Sequence, residues 1–212
     1  MEMMEDIVYK YFEDISETQK EKIIKLYNLY VDWNNKINVV SRKDINNLYL
    51  HHVLHSLSIL KFYNFNNGSK ILDIGTGGGF PGIPLAIFLE NCDFTLIDGK
   101  AKKIKVVNAI ADTLDLKNVR GLHQRAEEFK EKFDFIITRA VTSIDKLQMW
   151  SYPLLKKKST GPMPSGLFAY KGGNISAELK LLNKNDYYEL NDIHKKIPED
   201  YFKEKYIIYL QS

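Results

Sequence analysis

The 212-residue chain reads as an α/β protein built on one doubly wound, mostly parallel sheet with an antiparallel last strand, preceded by a helical region. Three observations predict this. An apolar run at 70–74 leads directly into glycines at 75, 77, 78, 79 and 82. Short β-rich runs then alternate with gaps long enough for helices, and the final two runs are separated only by a loop.

Taken in order, Ser16 and Gln19 match a capping box, and Ile23, Tyr27, Tyr30 and Ile37 recur at near-helical spacing. A second helix is predicted from Asp44 through Leu48, Val53, Leu57 and Leu60, stopping at 64–68 where Asn and Gly accumulate. Residues 1–65 therefore form the helical region and 66–212 the α/β domain. Strands are expected at 70–73, 93–97, 118–122, 133–138 and 167–171, with covering helices at 83–89, 102–114, 144–155 and 175–182. The runs at 187–193 and 206–210 form the antiparallel pair that closes the sheet. A Lys-, Pro-, Ser- and Gly-rich loop at 156–166 is the one break in composition within the domain.

Bulk composition narrows the class. At 44% hydrophobic residues the chain can bury one substantial core. Thirty basic against 27 acidic side chains leave a net charge of only +3, so any nucleic-acid surface has to be local. Cys92 is the single cysteine, which excludes a disulfide framework and a thiolate metal site. The first residues are acidic, and no apolar run approaches the roughly 18 residues of a membrane span. The expectation is a soluble, cytoplasmic monomer that holds no metal and contacts no membrane.

The glycine turn carries the chemistry. A strand that opens into glycines lets backbone approach a ligand, as in nucleotide and dinucleotide sites. Gly77-Gly78-Gly79-Phe80-Pro81-Gly82 satisfies the dinucleotide pattern, with Asp98 following 21 residues after Gly77, so the motif alone leaves the cofactor open. Asp73, the resulting Asp-x-Gly-x-Gly-x-Gly spacing and the antiparallel sheet end favour S-adenosylmethionine. Asp98 ends the second strand, where a carboxylate can accept both hydroxyls of a ribose. Arg125-Ala126-Glu127-Glu128 follows the third strand, at the place of contacts to an adenine; a solvated helix start fits the same residues.

The segment Asp73-Ile-Gly-Thr-Gly-Gly-Gly-Phe-Pro-Gly-Ile-Pro84 resembles the signature of the ribosomal RNA small-subunit methyltransferase G family, also called glucose-inhibited division protein B. Matches continue in order along nearly the whole chain: Trp33-Asn-x-x-Ile-Asn38 with Ser41-Arg42, His52 with Ser56-Leu57, Arg125-Ala-Glu-Glu128, Thr138-Arg-Ala140 and Ala169-Tyr-Lys-Gly172. The resemblance implies a Rossmann-like sheet, S-adenosylmethionine as donor, and guanine N7 of 16S ribosomal RNA, free or in a ribosomal particle, as acceptor. It implies cofactor contacts by Gly75, Phe80, Ala126, Glu127 and Arg139, to which the glycine loop adds Asp73, Gly77, Gly79 and Asp98. Asn38, Arg42, His52 and Lys171 become candidates for the RNA-facing wall, and Asn38, His52, Arg139 and Lys171 for the catalytic set. Where the family has Arg before its His and Asp three residues after, this chain has His51 and His55. The 156–166 loop is also longer than the family's Lys-Pro-Gly turn.

The chemistry agrees with these assignments. Guanine N7 presents an unprotonated lone pair, so transfer to it needs orientation and no strong base. A cation facing N7 would oppose the charge the base acquires, which favours Arg139 as an anchor and Asn38 as the group on the base edge; Asn38 also fits a helix-end cap. His51, His52 and His55 suggest a metal, but no His-Glu-x-x-His pattern or neighbouring Cys completes a site. Lysines 100, 102, 103 and 105 with Arg42 and Lys43 fit a phosphate rim or a solvated face. Two rival readings are an NAD-dependent reductase, suggested by Tyr152-x-x-x-Lys156 and Tyr201-x-x-x-Lys205, and a non-catalytic RNA-binding protein that keeps the cofactor fold.

Overall fold

The computed structural model describes residues 3–139 and 141–212. After a short helix α1 (Asp6–Tyr9), helix α2 (Glu17–Lys36) begins at the expected capping box: Ser16 Oγ accepts from the Gln19 amide and Gln19 Oε1 accepts from the Ser16 amide. The next segment departs from a plain α-helix. It runs as a 3₁₀ turn (Ile45–Asn47), a π-helix (Leu48–Leu54), one α turn, α3 (His55–Leu57), and a second 3₁₀ turn (Ser58–Lys61). Its buried residues Leu48, Val53 and Leu57 fall five and four apart, the spacings of a π turn followed by an α turn, so the core dictates the winding.

The sheet contains β1 (Lys70–Ile74), β2 (Asp93–Asp98), β3 (Val119–His123), β4 (Phe135–Arg139), β5 (Gly166–Gly172), β6 (Tyr188–Asp192) and β7 (Lys205–Gln211), in spatial order β3-β2-β1-β4-β5-β7-β6. The first five strands are parallel, and β7 runs antiparallel to both β5 and β6. Helices α4 (Gly82–Phe88), α5 (Ala101–Thr113), α6 (Ile144–Ser151) and α7 (Ile175–Leu179) connect them. Both α6 and α7 end earlier than their apolar pattern predicts. Behind α6, Pro153 and its neighbours tighten into a 3₁₀ turn, Tyr152–Leu154, because proline has no amide to continue the helix.

Alternation along β1 sorts its side chains to two cores. Ile71 joins the N-terminal helices, α4 and α5 on one face, and Leu72 and Ile74 join Ile144 and Leu147 of α6 on the other. The N-terminal helices share this first core through Val8, Ile23, Leu26 and Tyr30. By the same alternation Asp73 is carried beneath α4, fully buried. Among the described residues no helix is long and apolar enough to cross a membrane.

The 156–166 loop lies at the amino-terminal edge of the sheet and is organised by one buried carboxylate. Asp134 accepts from the Lys70 amide (2.8 Å), the Lys156 ammonium (2.7 Å), and the Thr160 amide (2.7 Å) and hydroxyl (2.8 Å). These donors hold its pKa below the ordinary carboxylate value although burial opposes them. The loop is thus pinned at the edge away from the glycine turn.

Candidate cofactor and acceptor site

Ile74, Asp98 and Arg139 are the last residues of β1, β2 and β4, so the parallel strands deliver them to one edge. The sheet reverses its winding between β1 and β4, and such a switch point opens a crevice for a ligand. Leaving β1, the amides of Gly75 (2.9 Å) and Thr76 (3.0 Å) both donate to the Ile97 carbonyl, tying the turn to β2. Gly75, Gly77 and Gly79 all have positive φ. At Gly75, with φ +69°, a Cβ would also come within 2.6 Å of Val141 Cγ2, so glycine is required there twice over.

Both predicted acids hold this turn. Asp73 Oδ2 accepts from the Gly82 amide at 2.9 Å, the first residue of α4. Burial pushes its pKa up to about 7 in spite of that bond. The Thr76 hydroxyl, buried beside it, also draws that pKa down. Asp98 accepts from the Gly77 amide (3.0 Å) and the Lys100 amide (2.8 Å), which leaves lone pairs on both oxygens for further donors. A cleft of about 550 Å³ opens beside them, lined by Gly75, Asp98, Arg125, Ala126, Glu127, Val141 and Trp150. The structure therefore brings Gly75, Asp98, Ala126 and Glu127 together, and adds Val141 and Trp150. Trp150 was legible only as an apolar residue of a helix.

The glycine turn is gripped from above by α2. The Tyr30 hydroxyl donates to the Gly78 carbonyl at 2.7 Å, and its ring stacks on Phe80 with centroids 4.7 Å apart. Val39 packs on the same turn, held there because Asn34 Oδ1 accepts from the amides of both Val39 and Val40. Sequence periodicity marked Tyr30 as a core residue without this second role.

Behind Phe80 lies a polar chain. The Arg139 guanidinium sits 5.3 Å from the Phe80 centroid and donates to the His51 carbonyl (3.2 Å) and to His52 Nδ1 (3.0 Å). Arginine can only donate, so His52 Nδ1 is the acceptor and the ring proton is on Nε2, which donates to Asp44 at 2.6 Å. His52 is thereby a neutral relay between a cation and a carboxylate. Burial and the Arg139 charge hold its pKa down at about 4 against the pull of Asp44. His51 donates from Nδ1 to the other Asp44 oxygen and stacks on Tyr201. Asp44, expected only to start a helix, proves to bind both histidines. His55 turns to Tyr201 and a buried aromatic cluster, so the three histidines do not converge on one point.

Two other candidates lie apart from this cluster. Lys171 donates to the Thr142 carbonyl and pairs with Glu178 at 3.0 Å, bracing the loop after β4. Asn38 is exposed; its carbonyl accepts from Lys103 at 2.7 Å, and it lines a neighbouring groove with Lys36, Lys100, Lys102, Lys103 and Lys105. Arg42 and Lys43 are exposed and do not line that groove.

The reductase reading loses its acid pairs. Tyr152 donates to the Gln211 carbonyl and Lys156 pairs with Asp134, at the edge opposite the glycine turn. Lys205 lies over the Tyr201 ring, whose hydroxyl donates to His51. Cys92 is buried before β2, its thiol pushed up to about 11 by burial, which removes it as a nucleophile.

Comparison with known proteins shows the fold and the family. The chain is similar to solved structures of an S-adenosylmethionine-dependent methyltransferase from Aquifex aeolicus (TM-score 0.56, 17% identity, 73% of this chain and 88% of that one) and of a fibrillarin/Nop5p complex (TM-score 0.57, 14% identity, 75% and 79%), which shows the fold. It is 46% identical over 206 residues to the ribosomal RNA small subunit methyltransferase G of Phocaeicola vulgatus, covering 97% of each chain. It is also 46% identical to that of Porphyromonas gingivalis, covering 97% of this chain and 92% of that one. Residues 19–201 match the family model described as GidB, rRNA small subunit methyltransferase G, so the chain belongs to that family.

Proposed function

We propose that this chain transfers a methyl group from S-adenosylmethionine to N7 of a guanine in small-subunit ribosomal RNA, and that it works as a monomer in the cytoplasm. The observation that carries the reading is the cleft at the β1/β4 switch point, where the glycine turn meets Asp98, Ala126 and Glu127. These residues fit S-adenosylmethionine. Asp98 has free lone pairs for ribose hydroxyls, and Gly75, Ala126 and Glu127 line the cleft beside it. The buried free thiol of Cys92 suits a reducing compartment.

When bound, the cofactor supplies an electrophilic methyl group on a sulfonium. The chain's own work is to orient and to exclude water. Asp98 fixes the ribose end, Ala126 and Glu127 flank the adenine, and the turn from Gly75 through Gly77 and Gly79 to Phe80, ordered by Asp73, holds the methionine end. Arg139 anchors that end from its place over Phe80. His52 is neutral with both ring nitrogens engaged, so it positions Arg139 and takes no proton; none has to be removed, because guanine N7 is already unprotonated. Asn38 approaches the base edge from the rim, and Lys171 holds the loop after β4 in place.

The test is transfer of labelled methyl from S-adenosylmethionine to small-subunit ribosomal RNA from cells lacking this protein, followed by mass mapping. Label at guanine N7 is expected. Cofactor binding with no transfer to any base would leave the binding-only reading in its place.

A further inference from the structure

Beside the cofactor cleft lies a second groove of about 710 Å³, walled by the end of α2 and the two residues after it on one side and by the start of α5 on the other. Five of its eight lining residues are lysines, Lys36, Lys100, Lys102, Lys103 and Lys105, and none is acidic. No ion pair of the described residues includes any of the five.

The walls are fixed in relation to one another. Lys103 crosses from α5 to donate to the Asn38 carbonyl, and the Lys36 ammonium is seated over the Trp33 ring at 5.2 Å. Lys102 and Lys105 stand one helical turn apart and are exposed. Lys100 lines both this groove and the cofactor cleft, so the two are continuous. Five ammonium groups without an acidic partner, Lys36 seated over Trp33 and Lys103 on the Asn38 carbonyl among them, suit a run of phosphates, since each one neutralised releases counterions.

We propose that this groove is the track for the RNA strand flanking the target guanine, held by its phosphodiester backbone without regard to sequence. The inference rests on the RNA reading given under Proposed function. It makes Lys100 the junction at which the strand passes from the track to the methyl donor.

The test is binding of small-subunit ribosomal RNA, from cells lacking the protein, to the full chain across a KCl titration. The triple variant Lys36→Gln, Lys102→Gln, Lys105→Gln is expected to lower the slope of log K against log salt by about 2, at about 0.7 per lysine on a single strand. Its affinity at 0.1 M KCl falls on the order of tenfold to a hundredfold, with S-adenosylmethionine affinity unchanged. The pair Lys180→Gln, Lys184→Gln, exposed and outside the groove, serves as the control and leaves the slope as in wild type. A triple variant with the wild-type slope, or a control that shifts it equally per lysine, overturns the proposal. Wild-type protein that methylates the RNA while the triple variant keeps its slope overturns the track alone. A lysine-dependent slope in a wild type that transfers no methyl supports the track and sinks the functional reading.

Discussion

Replacing His52 by glutamine and following unfolding by urea from about pH 7.5 to about pH 4.5 isolates the relay behind Phe80. At neutral pH the variant is the less stable, because largely buried Arg139 loses a partner at about 1–3 kcal/mol and partly exposed Asp44, which keeps His51, loses one at less. The pH dependence has a definite sign. In the unfolded chain a histidine titrates near pH 6.5, whereas His52 in the fold is held down to about 4. The depressed pKa means that the stability tied to the neutral ring is complete above pH 6.5 and is lost as pH falls toward 4. Each unit in that window removes about 1.4 kcal/mol from wild type, so the term reaches about 2–3 kcal/mol by pH 4.5. Glutamine does not titrate, so the gap between the two proteins narrows by that amount on acidification. A gap that stays constant across the window would show that His52 titrates in the fold as it does in the unfolded chain and would refute the relay.

Four further outcomes follow from the site. Tyr30→Phe keeps the ring over Phe80 but strands the Gly78 carbonyl, and should weaken S-adenosylmethionine about two- to tenfold by calorimetry, for one net hydrogen bond of about 0.5–1.5 kcal/mol. Asp98→Ala removes the carboxylate assigned to the ribose and should raise the cofactor Kd at least tenfold with the urea midpoint moved less; unchanged affinity in the folded variant refutes the assignment. Gly75→Ala forces a left-handed residue at about 1–2 kcal/mol and drives a methyl into Val141, so cofactor binding and thermal stability should both fall. Asp134→Ala abandons four donors, the Lys156 ammonium among them, and should cost about 3–5 kcal/mol in urea while a folded sample keeps its cofactor affinity.

The legible parts of this protein were those in which local chemistry and the tertiary solution agree. The apolar run before the glycines had to be a central strand, and the acids at 73 and 98 were recognisable because they bracket that turn at strand ends. Parallel pairing of the first five strands followed from helix-length gaps, and the antiparallel end of the sheet from the absence of one. What stayed hidden was set by contacts between distant segments. The 45–61 stretch has a five-then-four spacing of its core residues, a signal for a π turn that a search for α periodicity passes over. Asp44 looked like a helix-starting acid because its partners, seven and eight residues on, reach it only when that π-helix forms. Tyr30 and Trp150 resembled ordinary core aromatics, since nothing local tells a tyrosine or tryptophan which loop it will meet.

The bond from Tyr30 to Gly78 joins the cofactor turn to the helical region ahead of the sheet. Two segments 48 residues apart in sequence thereby open and close together: α2 cannot lift from the sheet without freeing the glycine turn, and the turn cannot reorganise without unseating α2. A ligand that binds only the ordered turn transmits part of its free energy to the N-terminal helix, about 2.7 kcal/mol at a hundred times its Kd. Amide exchange along α2 should therefore slow when the methyl donor is added, although no residue of that helix lines the cofactor cleft.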